Sequence, residues 1–172
     1  MLLILFSWFV IFIMIAVTGI MIKEKLKLDE NNAFILLYGV IGQTFLAAFF
    51  AFFYKIGFAF FITNCILLSI FGYFIKDKIK LFFCSFLNNF DGKSKILLLI
   101  FTLITAIKSS QYPSIFDNET YYIQTIKWLN EYGYLKGLAN LHPFLSQCSF
   151  WHVLQSGLNF SFLTNHLNDI NG

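Results

Sequence analysis

Four long apolar stretches alternate with short polar segments along this chain. The apolar stretches cover about residues 1–22, 33–53, 57–75 and 95–112. An α-helix rises about 1.5 Å per residue, so about 20 residues cross the roughly 30 Å hydrocarbon core of a bilayer. The pattern therefore predicts an all-α, polytopic transmembrane helical protein with about four spans, in which residues 1–108 form the transmembrane region.

The lysines give these spans an orientation. Three lysines follow the first span and five follow the third, whereas the turn after the second span carries only Lys55. Lysine-rich loops stay on the cytoplasmic side of a membrane. We therefore expect a multi-pass protein of the bacterial inner (cytoplasmic) membrane, with the N-terminus and residues 109–172 extracytoplasmic. Residues 76–95 are then a polar cytoplasmic loop, in which the apolar run 81–87 lies along the interface.

Residues 109–172 differ from the rest of the chain because polar and aromatic positions dominate there. From 118 to 132, polar residues recur at helical spacing in one stripe, which consists of Thr120, Gln124, Lys127 and Glu131. The positions between them are aromatic or aliphatic, as in a helix that lies on a membrane surface. A second helix is expected from about 144 to 163, with a polar side formed by Ser149, His152, Ser156 and Asn159. We interpret this extracytoplasmic segment as two amphipathic juxtamembrane helices that begin a longer domain.

Polar and small residues inside the apolar stretches leave two interpretations open. Gly39 and Gly42 in the second span fit a close helix contact with Gln43 as an interhelical hydrogen bonder, but small residues are also common in membrane helices generally. Asn64 in the third span is interpreted as a helix–helix hydrogen bonder rather than as a ligand.

Composition supports a membrane protein and excludes other classes. Apolar residues make up 58% of the chain and charged residues 12%, against about 25% charged in soluble domains. The bilayer is therefore the first expected partner. The lysines cluster between spans, so no nucleic-acid partner is expected. The three cysteines are far apart and no two share a predicted compartment, which favours neither a disulfide nor a zinc site.

Asp117 is the first candidate for chemistry, since it follows the last apolar stretch directly. It is either the N-cap of the following helix or a carboxylate at the membrane face, and the two roles are compatible. A carboxylate there can take a proton from an acceptor hydroxyl or bind a divalent metal ion. Glu119 is a second candidate ligand, or a first-turn acid that suits the helix dipole.

A run of short motifs in this region carries a resemblance. The motifs are Phe116-Asp-Asn-Glu-Thr-Tyr-Tyr122, Gln124-Thr-Ile-Lys-Trp128, Glu131-Tyr-Gly133, Gly137-Leu-Ala-Asn-Leu-His142 and Ser149-Phe-Trp151. Together they resemble a block in large, uncharacterised bacterial polytopic membrane proteins. The arrangement of a span, an exported acid, an aromatic helix and a second helix resembles the first extracytoplasmic loop of GT-C-type membrane glycosyltransferases. The resemblance covers roughly residues 95–172.

The resemblance implies a function and roles for particular residues. It implies transfer of a sugar from a polyprenyl-phosphate carrier to a cell-envelope glycan, with Asp117 as catalytic base and Glu119 as a possible second acid. Both are candidate ligands for a divalent metal ion, and Trp128, His142 and His152 are candidates for substrate binding. GT-C enzymes often have adjacent acids, whereas Asn118 separates the two here.

A non-catalytic protein fits the same residues. In that alternative the chain is a membrane scaffold or a component of an envelope polymer export system, and Asp117 only caps a helix.

GT-C enzymes have further spans, and this sequence ends at Gly172 before another span. We therefore expect an N-terminal fragment that is inactive alone.

Overall fold

The computed structural model describes residues 2–28, 31–110, 121–141 and 148–163, and it contains no β-strand within these ranges. The helices are α1 (Leu2–Leu26), α2 (Asn32–Phe53), α3 (Phe58–Phe74), α4 (Lys76–Asn88), α5 (Gly92–Ser109), α6 (Ile123–Tyr132), α7 (Leu138–Leu141) and α8 (Phe150–Gly157). The predicted all-α class is therefore confirmed.

Two of these helices, α1 and α2, are long and apolar enough to cross a membrane. A third span results if α3 and α4, which are bent by 92° relative to each other, form one broken span. The stretch predicted as the fourth span forms α5. Its 18 residues include Lys93, Lys95 and Lys108, and the apolar part between them is only about 18 Å long at the rise of an α-helix.

Residues 76–88, expected to lie in a polar loop, form the helix α4 instead. The reason is a short amphipathic pattern: Ile79, Phe82, Phe83 and Phe86 recur at three- and four-residue spacing and share one face. Phe82 is 4% exposed and packs in a cluster with Ala16 and Ile20 of α1. Because lysines interrupt this pattern, the sequence resembles a loop more than a helix.

The described chain forms two compact units. The first unit comprises residues 2–28, 31–42 and 67–110, and the second comprises 43–66, 121–141 and 148–163. The division passes through α2 and α3, so each of these helices contributes residues to both units.

In the first unit, α1 and α2 approach so closely that their backbones touch. The α-carbon of Gly19 faces the backbone of Ile35 and Gly39, and Gly39 in turn faces the Ile15 carbonyl. Side chains on these glycines would prevent the approach. The close helix contact, one of the two interpretations that the sequence left open and not the one it favoured, is therefore the arrangement in the structure. Gly42 packs on Thr18 and Ile22.

The core of the second unit is built on small residues of α2. Ala47, Ala48 and Ala51 are all less than 10% exposed, and they form a cluster with Ile56, Phe60, Leu129 and Val153. Because alanine projects little from the helix, α6 and α8 can pack closely against this part of α2.

Candidate functional site

The residues predicted to carry chemistry are spread over the chain that follows α5, and the two acids belong to the connection between α5 and α6. Three of them lie outside the described residues: Asp117, Glu119 and His142. Trp128 and His152 are described, and both are in the second unit. The described helices that flank the acidic segment in the sequence are α5 and α6.

α6 begins four residues after Glu119 and packs against protein along one face. Ile126 is fully buried and Leu129 is 3% exposed, whereas Lys127 and Glu131 of the predicted polar stripe are exposed. The predicted amphipathic pattern is confirmed, but its most buried apolar positions contact protein rather than a membrane surface. Trp128 is half-buried.

His152 holds the start of α8. Its backbone N–H donates to Ser149 Oγ at 3.3 Å, and the Ser149 N–H donates to His152 Nδ1 at 3.2 Å. This is a capping box in which histidine takes the place of the usual glutamate or glutamine. Since Nδ1 accepts a hydrogen bond, the ring proton of the neutral imidazole is assigned to Nε2. The ring lies beside Tyr122, with 5.4 Å between ring centroids, and the residue is 8% exposed.

Asn130 of α6 is the centre of a polar cluster inside the second unit. With its amide oriented to satisfy both ends, the nitrogen donates to the Ile56 carbonyl oxygen at 2.9 Å and contacts the Ser156 hydroxyl. Its oxygen accepts from Ser161 Oγ and Asn159 Nδ2, each at 3.0 Å. Ser156 and Asn159 are 3% and 5% exposed, so this part of the predicted polar stripe on the second helix packs inside the protein.

Backbone hydrogen bonds attach α6 to the turn between α2 and α3. The Ile56 N–H donates to the Leu129 carbonyl oxygen at 2.9 Å, and the Tyr134 N–H donates to the Ala51 carbonyl oxygen at 3.1 Å. The Tyr134 ring packs on Phe52, with 4.9 Å between centroids, and burial raises the pKa of its hydroxyl. Main chain, side chains and the Asn130 cluster therefore fix α6 relative to this turn.

Sequence reasoning missed Asn130, although a signal for it exists. Asn130 follows Ile126 by four residues and therefore shares the buried face of α6. A polar side chain on an otherwise apolar face requires hydrogen-bond partners when buried. That rule predicts a polar cluster at this position, but the identities of its partners depend on contacts with distant parts of the chain.

Gln43 and Asn64 hydrogen-bond to each other across α2 and α3, which confirms the helix–helix role expected for Asn64. The Asn64 amide donates to Gln43 Oε1 at 2.7 Å, and the Gln43 amide donates back to Asn64 Oδ1 at 3.4 Å. Both residues are 1% exposed. The pair joins α2 to α3 within the second unit. Each amide satisfies part of the hydrogen-bonding capacity of the other.

Replacing only one member of this pair is expected to destabilise the protein more than replacing both. Gln43→Leu leaves a buried amide of Asn64 without its partner, so we expect a loss of about 1–2 kcal/mol in the free energy of unfolding. The double variant Gln43→Leu/Asn64→Leu should recover part of that loss. Thermal unfolding in detergent of the wild type, the two single variants and the double variant forms a double-mutant cycle. Strictly additive losses of unfolding free energy would contradict a direct interaction.

The described ranges hold few candidate metal ligands and few unpaired polar groups. No group of three or more His, Cys, Asp or Glu residues stands together there. The expected divalent metal ion therefore depends on Asp117 and Glu119. One described buried side-chain atom, Nε2 of Gln155 in α8, has no hydrogen-bond partner within the same ranges. It is a donor for a hydroxyl or phosphate oxygen.

Comparison with known proteins gives the chain a family. No curated protein and no solved structure matches it. One family profile, described as "Domain of unknown function (DUF8201)", matches residues 1–172. The chain therefore belongs to the DUF8201 family.

Proposed function

We propose that this chain is the N-terminal part of a GT-C-like membrane glycosyltransferase. In this proposal it crosses the inner membrane four times, with residues 109–172 outside. It transfers a sugar from a polyprenyl-phosphate carrier to a cell-envelope glycan. Asp117 takes the proton from the acceptor hydroxyl as that oxygen attacks the anomeric carbon of the sugar. The bond from that carbon to the carrier phosphate breaks, and polyprenyl phosphate leaves. Glu119 contributes a second carboxylate.

The observation that carries the proposal is the attachment of α6 to the turn between α2 and α3. A catalytic carboxylate has to be held at a fixed position relative to the bond it acts on. The acidic segment leads directly into α6, which the Ile56–Leu129 backbone hydrogen bond fixes to this turn. A turn next to an apolar helix is a fixed reference near the bilayer surface, where a polyprenyl phosphate places its phosphate.

The same attachment supports the proposed topology. The lysine distribution puts the turn at Lys55 and the segment 109–172 on the same, extracytoplasmic side. Two segments on opposite sides of a membrane cannot exchange backbone hydrogen bonds. The contact between this turn and α6 is therefore compatible with the proposed topology and supports it.

The described residues also supply contacts for a substrate. Trp128 is half-buried at the edge of the packed face of α6, where an aromatic ring can stack on a sugar or contact an isoprenoid chain. In this proposal His152, which caps α8, positions that helix, and His142 is a further substrate contact.

The burial of the polar side of α8 favours the non-catalytic alternative. Ser156 and Asn159 are bonded to Asn130 rather than presented on an open surface. A membrane scaffold or a component of an envelope polymer export system needs such a packed interior and no base at residue 117. The two functions therefore differ in what they require of Asp117.

Asp117→Asn tests the proposal directly, in the full-length reading frame. Asparagine keeps most of the capping ability of aspartate but cannot accept the proton. We expect transfer to fall by about 10²–10⁴-fold, as is typical for loss of a general base. The measurement is the envelope glycan profile, by mass spectrometry, of a deletion strain complemented with each version.

Asp91→Asn is the matched control. Asp91 caps α5 by accepting a hydrogen bond from the Ser94 N–H at 3.0 Å. The Ser94 side chain, and after it the Ser94 backbone N–H, lower the pKa of the Asp91 carboxyl. The control makes the same chemical change at a cap and should restore the wild-type profile. If Asp117→Asn rescues as well as Asp91→Asn at equal membrane levels, the catalytic role is wrong and the scaffold remains.

A further inference from the structure

Lysines from two different helices gather at one corner of the first unit. They lie at the end of α1 and in the first turns of α4, and they are Lys23, Lys25, Lys27, Lys76, Lys78 and Lys80. Glu24 joins the two groups, since its carboxylate is 3.1 Å from Lys23 Nζ and 3.7 Å from Lys78 Nζ. The neighbouring segments 23–30 and 76–80 contain six lysines against four acids.

The lysines at the start of α4 are not explained by helix stability. A cation near a helix N-terminus is unfavourable because the helix dipole is positive there. The residue before the helix, Ile75, provides no side-chain cap. Lys23 and Lys25, in contrast, stand in the last turn of α1, where cations are favourable. Lys76, Lys78 and Lys80 therefore fit the membrane side predicted for this lysine-rich segment, and helix stability does not account for them.

Exposed apolar side chains surround these lysines. The most exposed are Leu26 at 63%, Tyr73 at 71%, Phe74 at 78% and Leu81 at 64%. The Lys76 ammonium lies 5.6 Å from the centroid of the Tyr73 ring. Aromatic residues beside lysines are typical of the headgroup level of a bilayer, where the rings enter the boundary and the ammonium groups reach the phosphates.

We propose that this lysine corner binds the headgroups of anionic phospholipids. The exposed Leu26, Tyr73, Phe74 and Leu81 contact the upper acyl chains, and the lysines at the start of α4 contact the phosphodiester. The interaction is independent of glycosyl transfer and holds whether or not Asp117 is a base. Its chemistry selects phosphatidylglycerol over the zwitterionic phosphatidylcholine.

The test uses the full chain, purified in a neutral detergent and supplied with phosphatidylglycerol or phosphatidylcholine of identical acyl chains. Lipid retention is measured by native mass spectrometry, with thermal unfolding as a second readout. We expect the wild type to retain phosphatidylglycerol preferentially, and salt to weaken that preference. Equal retention of the two lipids by the wild type would overturn the proposal.

The variant Lys76→Gln/Lys78→Gln/Lys80→Gln should lose most of this preference. Each lysine near an anionic surface contributes about 1 kcal/mol, so three give about a 100-fold weaker retention. The matched control is Lys108→Gln/Lys127→Gln/Lys136→Gln, which removes the same charge from three exposed positions elsewhere. An equal loss in both triple variants would show an effect of net charge alone, and the lysine corner would not be a site.

Glu24→Gln is expected to raise the retention of phosphatidylglycerol, whereas the triple variant lowers it. It therefore tests the proposal even if the triple variant does not fold. This variant removes the Glu24 carboxylate that lies beside Lys23 and Lys78 and makes the corner more positive, so retention of phosphatidylglycerol should rise by about fivefold. Unchanged or weaker retention with normal folding would contradict the assignment of these lysines to headgroup binding.

Discussion

Gly19→Ala is expected to destabilise the first unit by about 3 kcal/mol or more, because a methyl group at this position has no space. The new carbon would overlap the Ile35 carbonyl oxygen, and the Ile35 carbonyl carbon would be only 2.9 Å away. Both are backbone atoms and cannot rotate aside. α1 and α2 would have to separate, which would uncover Ala16 and Ile20 in the core of this unit.

Gly92→Ala is the control for this experiment, since nothing lies within 4 Å of a Cβ built there. Gly92 opens α5, where alanine should be neutral or stabilising by up to about 1 kcal/mol. Thermal unfolding in detergent, followed by circular dichroism and size-exclusion chromatography, compares the two variants. Equal melting temperatures for Gly19→Ala and Gly92→Ala would show that α1 and α2 do not touch through their backbones.

Gly133→Ala is expected to detach α6 from the turn between α2 and α3. The expected loss in the free energy of unfolding is again about 3 kcal/mol or more. Gly133 has φ 74° and ψ −145°, a conformation that is nearly restricted to glycine. A Cβ there would also lie 2.7 Å from the Ala51 carbonyl oxygen and 2.9 Å from that of Tyr54. The hydrogen bond from the Tyr134 N–H to the Ala51 carbonyl oxygen should therefore break.

Gly137→Ala separates the effect of the backbone angle from the effect of crowding. Gly137 has φ 87°, but the nearest atom to a Cβ there is Asn140 Nδ2 at 3.7 Å. Its replacement should cost only about 1–2 kcal/mol, from the backbone conformation alone. Hydrogen exchange reports the difference: the amides of Ile56 and Tyr134 should lose protection in Gly133→Ala and keep it in Gly137→Ala. Retained protection in both would refute the tight approach at Gly133.

Of the two crowded glycines, only Gly133 bears on the proposed site. Gly19 sets the distance between α1 and α2 in the first unit, and Gly133 sets the approach of α6 in the second. If the acidic segment is catalytic, Gly133→Ala should also reduce transfer, since Asp117 and Glu119 are carried on the chain that leads into α6. Gly19→Ala acts in the first unit and reports on its folding.

The long apolar helices were predictable because their signal is local. α1 and α2 each contain more than 20 residues, and a bilayer or a protein interior stabilises such runs whatever the rest of the chain does. The pattern around Ile126 and Leu129 predicted α6 for the same reason, since residues three and four apart share a face of any helix. A helix–helix role for Asn64 was predictable because an amide in an apolar helix needs another polar group, but its pairing with Gln43 was not.

The start of α4 and the role of His152 were less predictable. The apolar face of α4 is only four residues, and its helix is stabilised by packing on α1 rather than by its own length. His152 was placed on a polar stripe, yet its ring nitrogen accepts the Ser149 N–H in a cap. Histidine at this capping position is not the usual residue, so no sequence rule selected it.

The sequence by itself determined the all-α class, the apolar helices and the acidic segment before α6, because hydrophobicity and helical period act between near neighbours. Only the tertiary structure decided that Asn130 bonds to Ile56, that Gly133 lies against Ala51, and that α2 and α3 contribute to both units. Asn130 is far from Ile56 in the sequence, and Gly133 is far from Ala51. Their approach depends on the packing of whole helices, which a local pattern does not encode.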